Sequence, residues 1–555
     1  MNKKVMTVLA AMMVAASLTA QNQPQQNQPA GQKPPQGQQQ QRQRRPDYRP
    51  VGSDNVKVDP QVEAVELART IRPEAGSTRK GNNPVIFMIG DSTMRTGTKG
   101  NADNGQRGWG YYAVDLFDTD RISVENHAMG GTSSRTFYDR LWADVVKGVQ
   151  PGDWMIIQIG HNDSGPYDTA RSRNSIPGTG KESIEVVNET TGEKSVVYSY
   201  GEYIRRYVNE TRARGGNPIL LSLTPRDKWN EDGSLIRYNV DSYTPWLKTI
   251  AEELDVPFLD FNNAGSDKYE HVYDKKKVSL MFFSDNIHTS DFGARDNLAT
   301  FEKLLRASDI KLKEYLLPEV TYKSEVREMG KSVLFLVGDR TMGGDNGSFG
   351  WGDAFVKMLN KKKVVVDDRT QSGLGTRTYL EAGHWDAVYE SVEKGDYVFI
   401  QFGYDESGDI NVGEARGVLD GNGDEKQVML MEKTGRYNGI YTYGFYLRKY
   451  CMDIIEKGAT PVVISYVPVL DERGMLADNA DNYGKWAREA AKDAGALFID
   501  LNKEAVDELD ELPYSKLKKL FVGNDRLSKR GAAVMAEIVE DEIDDLDSRM
   551  ENILK

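Results

Sequence analysis

The sequence predicts an α/β protein built from two tandem three-layer domains, each with a parallel sheet covered by helices on both faces. The first observation is an internal repeat: "IGDSTMRTGTKGNADNGQRGWG" at 89–110 shares its skeleton with "VGDRTMGGDNGSFGWG" at 337–352. The second is that short, nearly all-apolar runs alternate with longer amphipathic stretches, which is typical of strands buried between helices. Ligand sites in such domains lie at the carboxyl ends of the strands.

Ten apolar runs are the predicted strands. They are 85–90, 122–126, 154–160, 218–223 and 256–261 in the first unit, and 333–338, 364–368, 397–403, 461–466 and 496–501 in the second. Amphipathic stretches such as "GEYIRRYVNETRARGG" and its counterpart "GFYLRKYCMDIIEKG" predict the helices between them. An insertion at 175–201 predicts a hairpin after the third strand. It could be a substrate wall or an ordinary surface hairpin, and the sequence leaves both open.

The chain divides into six segments by composition. Residues 1–20 have a basic start, an apolar run and small residues near the end, as in a secretory signal peptide, and 21–50 form a Gln/Pro-rich tether too polar to fold. Residues 51–83 lead into the first domain and include a helix predicted at 60–72. The first domain spans 84–315, a linker 316–330 and the second domain 331–552. We therefore expect an exported protein, periplasmic or secreted, without a membrane anchor.

The overall composition excludes several classes of function. With 71 Lys and Arg against 84 Asp and Glu, the net charge is -13, which argues against nucleic acid or an anionic membrane as a partner. The single cysteine, Cys451, excludes an internal disulfide and is expected to be a buried apolar residue. The five histidines (127, 161, 271, 288 and 384) include no pair at zinc-binding spacing, so we predict no metal site. Oligomeric state is left open.

Short motifs of the first unit could together carry out acyl transfer. Ser92 follows the first strand in "GDST", and Asp285 and His288 stand three residues apart in "DNIHTSDFGA". A serine becomes a nucleophile when a histidine takes its proton, and an aspartate would hold that histidine in the required tautomer. Donors for the oxyanion would be the Ser92 and Gly131 backbone N–H groups and the Asn162 amide. Each motif is weak evidence alone, but the combination in this order is not.

This set of residues resembles the SGNH (GDSL-type) hydrolases. The motifs "GDSTM", "GTSSRTF", "GHND" and "SIPGTGKE" look like the rhamnogalacturonan acetylesterase branch, over residues 84 to about 310. The resemblance implies a flavodoxin-like sheet and ester hydrolysis without a metal or other cofactor. It also implies a preference for O-acetyl groups on plant cell-wall polysaccharides, especially pectin. No GxSxG motif occurs in the chain, so the α/β-hydrolase alternative lacks its main signature.

The resemblance assigns roles to individual positions. Ser92 would be the nucleophile, His288 the base and later the acid, and Asp285 the residue that orients His288. His161 and Asp163 flank Asn162 and could shape the pocket or be structural, while Arg135 could bind a substrate carboxylate or support the scaffold. A pectin methylesterase, an acetylxylan esterase and a non-catalytic glycan-binding protein remain the alternatives.

The second unit keeps the frame of the repeat and loses its reactive residues. Aligned on the repeat, Arg340 replaces Ser92, Asp405 replaces Asn162 and Arg526 replaces His288; Gly523 likewise stands at Asp285 and Tyr404 at His161. A carboxylate at 405 would repel a developing oxyanion, and arginine does not act as a base. We therefore expect a degenerate domain without acyl-transfer chemistry, retained for packing or for glycan binding.

Overall fold

A computed structural model describes residues 48–554 except 54–55, 170, 346, 547–549 and 551–552. The predicted signal peptide and nearly all of the predicted tether lie outside the described residues. Residues 48 to 50, which the sequence assigned to the tether, already contact the folded chain: Pro50 forms a parallel bridge with Val428, and the Val51 N–H donates to the Val428 carbonyl at 2.8 Å. The predicted helix at 60–72 is present as α1, Pro60–Thr70.

The first lobe is built on a five-stranded parallel sheet in the order β2-β1-β3-β6-β7. Its strands and the hairpin β4–β5 are β1 Val85–Gly90, β2 Ser123–Asn126, β3 Trp154–Gln158, β4 Ser183–Val187, β5 Lys194–Tyr198, β6 Asn217–Leu221 and β7 Phe258–Leu259. Its remaining helices are α2 Ser134–Phe137, α3 Ala143–Val146, α4 Tyr200–Ala213, α5 Tyr243–Leu254, α6 Phe261–His271, α7 Lys275–Leu280 and α8 Asp291–Ala307. Short 3₁₀ or π turns cover Trp109–Tyr111, Ala113–Leu116, Tyr138–Trp142 and Lys311–Tyr315.

The second lobe repeats this topology in a sheet of order β9-β8-β10-β13-β14, again parallel throughout. Its strands are β8 Ser332–Gly338, β9 Val364–Asp368, β10 Tyr397–Gln401, β11 Lys426–Leu430, β12 Tyr437–Tyr441, β13 Thr460–Ile464, β14 Leu497–Ile499, β15 Phe521–Val522 and β16 Arg526–Leu527. Its helices are α9 Arg340–Gly343, α10 Trp351–Phe355, α11 Thr376–Glu381, α12 His384–Ser391, α13 Tyr443–Glu456, α14 Tyr483–Ala494, α15 Leu501–Leu509, α16 Tyr514–Leu517 and α17 Lys529–Leu546. Turns of 3₁₀ helix lie at Tyr404–Glu406 and Lys518–Leu520.

The predicted fold class is confirmed, and the strands differ from the prediction mainly at their ends. The runs predicted at 256–261 and 496–501 shorten to Phe258–Leu259 and Leu497–Ile499. In both places an aspartate ends the strand by capping the next helix: the Asp260 side chain accepts the Asn263 N–H, and the Asp500 side chain accepts the Lys503 N–H. The insertion at 175–201 contains the antiparallel hairpin β4–β5 that the sequence indicates.

The two lobes share buried polar contacts as well as topology. In the first lobe the Gln158 side chain accepts from the Trp109 indole at 2.8 Å and donates to the Ser222 carbonyl at 2.8 Å. In the second, Gln401 accepts from Trp351 at 2.8 Å and donates to Ser465 at 3.0 Å. Buried polar groups need such partners, so the glutamine fixes the end of the central strand in each lobe.

The lobes pack on each other through α7, the loop after it, and α8 of the first lobe. Lys277 of α7 lies between two carboxylates of α13: its ammonium is 2.8 Å from Asp453 and also pairs with Glu456. All three side chains are at least nine-tenths buried. Burial alone would lower the pKa of Lys277, but the two carboxylates outweigh it and raise that pKa. The ammonium therefore stays charged inside the interface.

Among the described residues, no helix combines the length and apolar character needed to cross a bilayer.

We expect Lys277→Met to lower the free energy of unfolding by about 3 kcal/mol, because it removes the cation paired with the buried Glu456 carboxylate. Asp453 keeps its second partner, Lys449, at 2.6 Å. Chemical denaturation of the full chain measures the change. Lys147→Ala is the control, since the Lys147–Asp144 pair is 53% and 75% exposed and such pairs contribute below about 1 kcal/mol. Equal losses in the two variants would contradict the expectation.

Candidate active site

Ser92 lies in a tight turn directly after β1, at the carboxyl edge of the first sheet. The turn is held by Asp91, which is fully buried: one of its carboxylate oxygens accepts the Thr93 N–H at 2.9 Å and the Thr93 hydroxyl at 3.0 Å. The Ser92 side chain itself is only partly buried. The preceding Gly90 has no room for a side chain, because a Cβ there would lie 2.7 Å from the Gln158 carbonyl oxygen. The sequence of this turn thus presents the Ser92 hydroxyl at the sheet edge.

Asp285 and His288 approach Ser92 from the loop between α7 and α8. Asp285 shapes this loop, since one carboxylate oxygen accepts the N–H groups of Ile287 at 2.9 Å and His288 at 2.8 Å. Its other oxygen lies 2.8 Å from His288 Nδ1, and His288 Nε2 lies 2.9 Å from Ser92 Oγ. The three side chains that the sequence singled out therefore form one continuous hydrogen-bonded chain.

The carboxylate of Asp285 remains ionised in this setting. Burial would raise its pKa, but the hydrogen bond and charge of His288 and the two backbone N–H groups hold the pKa well below its usual range. With the carboxylate on Nδ1, the neutral imidazole carries its proton there, and Nε2 is free to accept from Ser92 Oγ. This is the arrangement in which histidine can take the serine proton.

Gly131 and Asn162 lie on the two loops next to Ser92. The Met129 N–H donates to the Gly90 carbonyl at 3.1 Å, which draws the loop after β2 against the serine turn. Gly131 has a φ of +79°, in the region that glycine adopts without strain. The Asn162 amide donates to the Thr132 carbonyl at 2.9 Å, so the loops after β2 and β3 are tied together beside the hydroxyl.

His161 is a neutral, partly buried neighbour of the site. Its Nε2 lies 3.0 Å from the Thr224 hydroxyl, and Nδ1 accepts from the Arg226 guanidinium at 3.2 Å. Burial, assisted by the nearby charge of Arg226, lowers the pKa of His161 to about 4. His161 therefore orders the loop after β6 against the loop after β3, while the proton-accepting position belongs to His288.

Asp163 and Arg135 make internal contacts that order the rim of the site. The fully buried Asp163 carboxylate accepts the Ser134 N–H at 3.0 Å and the Ser175 hydroxyl at 2.7 Å, and burial raises its pKa to about 6. Arg135 is 7% exposed and donates to the Tyr167 carbonyl at 3.2 Å and the Ser195 hydroxyl at 2.9 Å. These bonds join the short helix α2 to the hairpin segment. These contacts of both residues are thus with the protein itself, which is what a structural role requires.

Two arginines at the site were not singled out from the sequence. Arg173 is exposed and donates to the Gly131 carbonyl at 2.9 Å. Arg226 contacts His161, and its guanidinium lies 4.3 Å from the centre of the Tyr238 ring. A signal for each was present: Arg173 recurs as Arg416 in the repeat, and Arg226 follows the end of β6, where ligand-binding side chains are expected.

The corresponding positions of the second lobe are filled by ion pairs. Asp405, at the position of Asn162, accepts from Arg340 at 3.0 Å and from Arg416 at 2.8 Å. Arg526, at the position of His288, lies 3.9 Å from the Asp345 carboxylate. In the part of this lobe that the structure describes, no hydroxyl, imidazole and carboxylate come together at the sheet edge.

One group of described side chains has the spacing of metal ligands, namely Asp267, Glu270 and His271. It lies on the surface of α6, outside the site built around Ser92. Arg237 already pairs with both carboxylates, at 2.6 Å for Asp267 and more closely still for Glu270. The group therefore serves as an ion-pair partner for Arg237.

A parallel α/β lobe with a serine after its first strand and an Asp-x-x-His loop before its last helix has the architecture of an SGNH hydrolase domain. Residues 88–295 match the GDSL-like Lipase/Acylhydrolase family. The first lobe is a GDSL/SGNH lipase-acylhydrolase domain.

Similar proteins include two rhamnogalacturonan acetylesterases. The rhamnogalacturonan acetylesterase of Emericella nidulans is 26% identical over 42% of this chain and 88% of that protein. The rhamnogalacturonan acetylesterase RhgT of Bacillus subtilis is 27% identical over 39% of this chain and 83% of that protein. Among solved structures, the acetylxylan esterase Axe2 of Geobacillus stearothermophilus is 22% identical, with a TM-score of 0.30 over 41% of this chain and 96% of that one.

We expect His161 to make the protein less stable as the pH falls from about 6.5 to 4, because the unfolded chain takes up the proton before the folded one. The loss attributable to His161 is about 3 kcal/mol and is complete below pH 4, where both states are protonated. Urea denaturation at several pH values measures it, with His161→Gln as the comparison because glutamine can still accept from Arg226. Parallel pH curves for the two proteins would contradict the assignment.

Proposed function

We propose that this protein is an exported carbohydrate esterase that removes O-acetyl groups from an acidic plant cell-wall polysaccharide of the pectin or rhamnogalacturonan type. The observation that carries the proposal is the hydrogen-bonded chain from Ser92 through His288 to Asp285. The similarity of the first lobe to rhamnogalacturonan acetylesterases supports the substrate class. Export rests on the signal-peptide character of residues 1–20.

The reaction begins with attack of Ser92 Oγ on the acetyl carbonyl carbon. His288 Nε2 takes the hydroxyl proton as the new C–O bond forms, and the ionised Asp285 stabilises the resulting imidazolium through Nδ1. The carbonyl oxygen becomes negative and is bound by the Ser92 and Gly131 N–H groups and the Asn162 amide. These donors come from three adjacent strand ends.

The intermediate then collapses and the sugar leaves. His288 returns its proton to the sugar oxygen as the C–O bond to the acetyl group breaks, which leaves Ser92 acetylated. Water enters, gives a proton to His288 Nε2 and attacks the acetyl carbon through a second tetrahedral intermediate. Ser92 leaves with that proton, and acetate is released.

The two arginines of the site favour an acidic substrate within this class. The protein carries a net charge of -13, so a polyanionic substrate needs local positive charge to approach the sheet edge. Arg173 and Arg226 supply it on the loops after the neighbouring strands β3 and β6, and an arginine can bind a uronate carboxylate through two parallel hydrogen bonds. Neutral xylan offers no such partner.

A product assay on a set of polysaccharides tests the proposal. The purified full chain is incubated with acetylated rhamnogalacturonan, acetylated homogalacturonan, methyl-esterified pectin and acetylxylan, and acetate and methanol are measured. We expect acetate from the acetylated pectic substrates. Methanol release would establish a methylesterase, preference for xylan an acetylxylan esterase, and saturable binding without any ester turnover a glycan-binding protein.

We expect Ser92→Ala to reduce acetate release by about 10³-fold or more, because the acyl acceptor is removed. Asp285→Asn should cost about 10³- to 10⁴-fold, since it no longer stabilises the imidazolium or fixes the tautomer. Initial rates on acetylated pectin measure both, and circular dichroism checks the fold. Arg340→Ala in the second lobe is the matched control. A loss of acetate release in that control, with the fold intact, would contradict the assignment of turnover to the first lobe's residues alone.

We expect Arg173→Gln and Arg226→Gln to raise KM on acetylated polygalacturonate about tenfold, equivalent to one lost charged hydrogen bond. KM on neutral acetylated oligosaccharides should stay the same, because no carboxylate is present. Comparing the two substrates at low and high salt separates charge recognition from loss of packing. Equal increases on both substrates would exclude a carboxylate-binding role.

A further inference from the structure

We infer that the second lobe positions the loop bearing Asp285 and His288, and that esterase turnover in the first lobe depends on this support. The platform, as we name it, consists of the hairpin β11–β12 and the first turn of α13. The inference rests on the proposed function, because it concerns the residues assigned to acyl transfer there.

Phe283 is the main anchor of the loop. It lies two residues before Asp285, its side chain is 2% exposed, and its N–H donates to the His288 carbonyl at 3.1 Å. A displacement of Phe283 would therefore move the backbone of His288, because one hydrogen bond joins the two residues. The ring packs in the hydrophobic core of the second lobe, together with Leu280 from α7.

The surroundings of the Phe283 ring come largely from outside the first sheet. Tyr48 packs edge-on at 4.9 Å between ring centres, Tyr441 of β12 at 6.3 Å, and the Lys426 ammonium of β11 lies 4.8 Å from the ring centre. Such aromatic and cation–π contacts are directional, so they fix the ring in orientation as well as depth.

Gly439 of β12 allows the ring to lie against the platform. A Cβ at this position would be 2.7 Å from Phe283 Cε2, well inside van der Waals contact. The corresponding residue of the first hairpin is Val196, which is 40% exposed. The hairpin β11–β12, which contacts Phe283, thus has a glycine at this position, whereas the hairpin β4–β5 has a valine.

A second tie runs through Arg107. Its N–H donates to the Thr289 carbonyl at 2.9 Å and its carbonyl accepts the Thr289 hydroxyl at 2.6 Å, so it is bonded to the residue after His288. Its guanidinium in turn donates to the Tyr437 carbonyl of β12 at 2.6 Å. The loop is therefore fixed to the platform on both sides of Asp285 and His288.

The start of α8 likewise makes a contact with the platform that the repeat lacks. Phe292 packs on Phe445 of α13 with 5.9 Å between ring centres. In the repeat, the residue that corresponds to Phe292 is Arg530, which is exposed, and the residue that corresponds to Phe445 is Glu202. The apolar pair is thus present where the loop bearing Asp285 and His288 meets the platform and absent at the corresponding positions of the repeat.

The test is a substitution on the platform that never touches substrate. Gly439→Ala should displace the Phe283 ring and lower kcat for p-nitrophenyl acetate by about 10- to 100-fold, as expected for an ångström-scale shift of a reacting group. KM should remain within about twofold of wild type, because the platform contributes no group to substrate binding. The rate of Ser92 labelling by a fluorophosphonate should fall in parallel.

Rescue distinguishes positioning from loss of stability. Adding Phe283→Leu to Gly439→Ala makes room for the new methyl group, so the double variant should recover part of the lost kcat, although leucine does not restore the aromatic contacts of Phe283. The control is Leu334→Ala in the opposite face of the second sheet, where Leu334 is fully buried. It should lower the melting temperature and leave kcat unchanged.

The outcomes separate this inference from the proposed function. A wild-type protein that hydrolyses neither p-nitrophenyl acetate nor the acetylated polysaccharides would remove the proposed function itself. An active wild type with an equally active Gly439→Ala variant, or a fall in kcat that the Phe283→Leu change does not relieve, would overturn the positioning role. A fall in kcat in the folded Leu334→Ala control would also overturn it, since general loosening would then suffice.

Discussion

Parallel pairing on both sides of β1 is the constraint on which the site depends. Met88 pairs with Asn126 of β2, and Gly90 pairs with Gln158 of β3, so three strands end at the same edge. Each strand is then followed by a loop whose candidate site residue is only a few positions away. The strand register brings Ser92, the loop containing Gly131 and the Asn162 amide to one edge of the sheet. His288 comes instead from a distant part of the chain.

The two lobes show that framework and chemistry are separable in this fold. The Trp109–Gln158 bond has its equivalent in Trp351–Gln401, because each lobe must satisfy the polar groups at its central strand. The fold does not require particular side chains in the loops at the carboxyl edge of the sheet. In the second lobe an Arg340–Asp405 pair occupies this edge instead, and the buried charges neutralise each other.

Much of this could be predicted from sequence because the relevant signals are local. Ser92 follows an apolar run directly, and the three-residue spacing of Asp285 and His288 lets one carboxylate bind both the loop backbone and the ring. The sequence could not decide whether Arg135 binds a substrate carboxylate or supports the scaffold, because its partners Tyr167 and Ser195 are remote in sequence. The packing of Phe283 on Tyr441 was likewise invisible, because a buried aromatic residue has the same pattern whichever lobe covers it.

The order of these elements along the chain has a consequence for maturation. Every residue that carries out the proposed chemistry precedes the linker, whereas Lys426, Gly439 and Tyr441 follow it. A chain that emerges amino terminus first completes its reactive residues long before the surface that holds them in place. During synthesis the loop bearing Asp285 and His288 therefore lacks the support that we infer for it until the second lobe has folded.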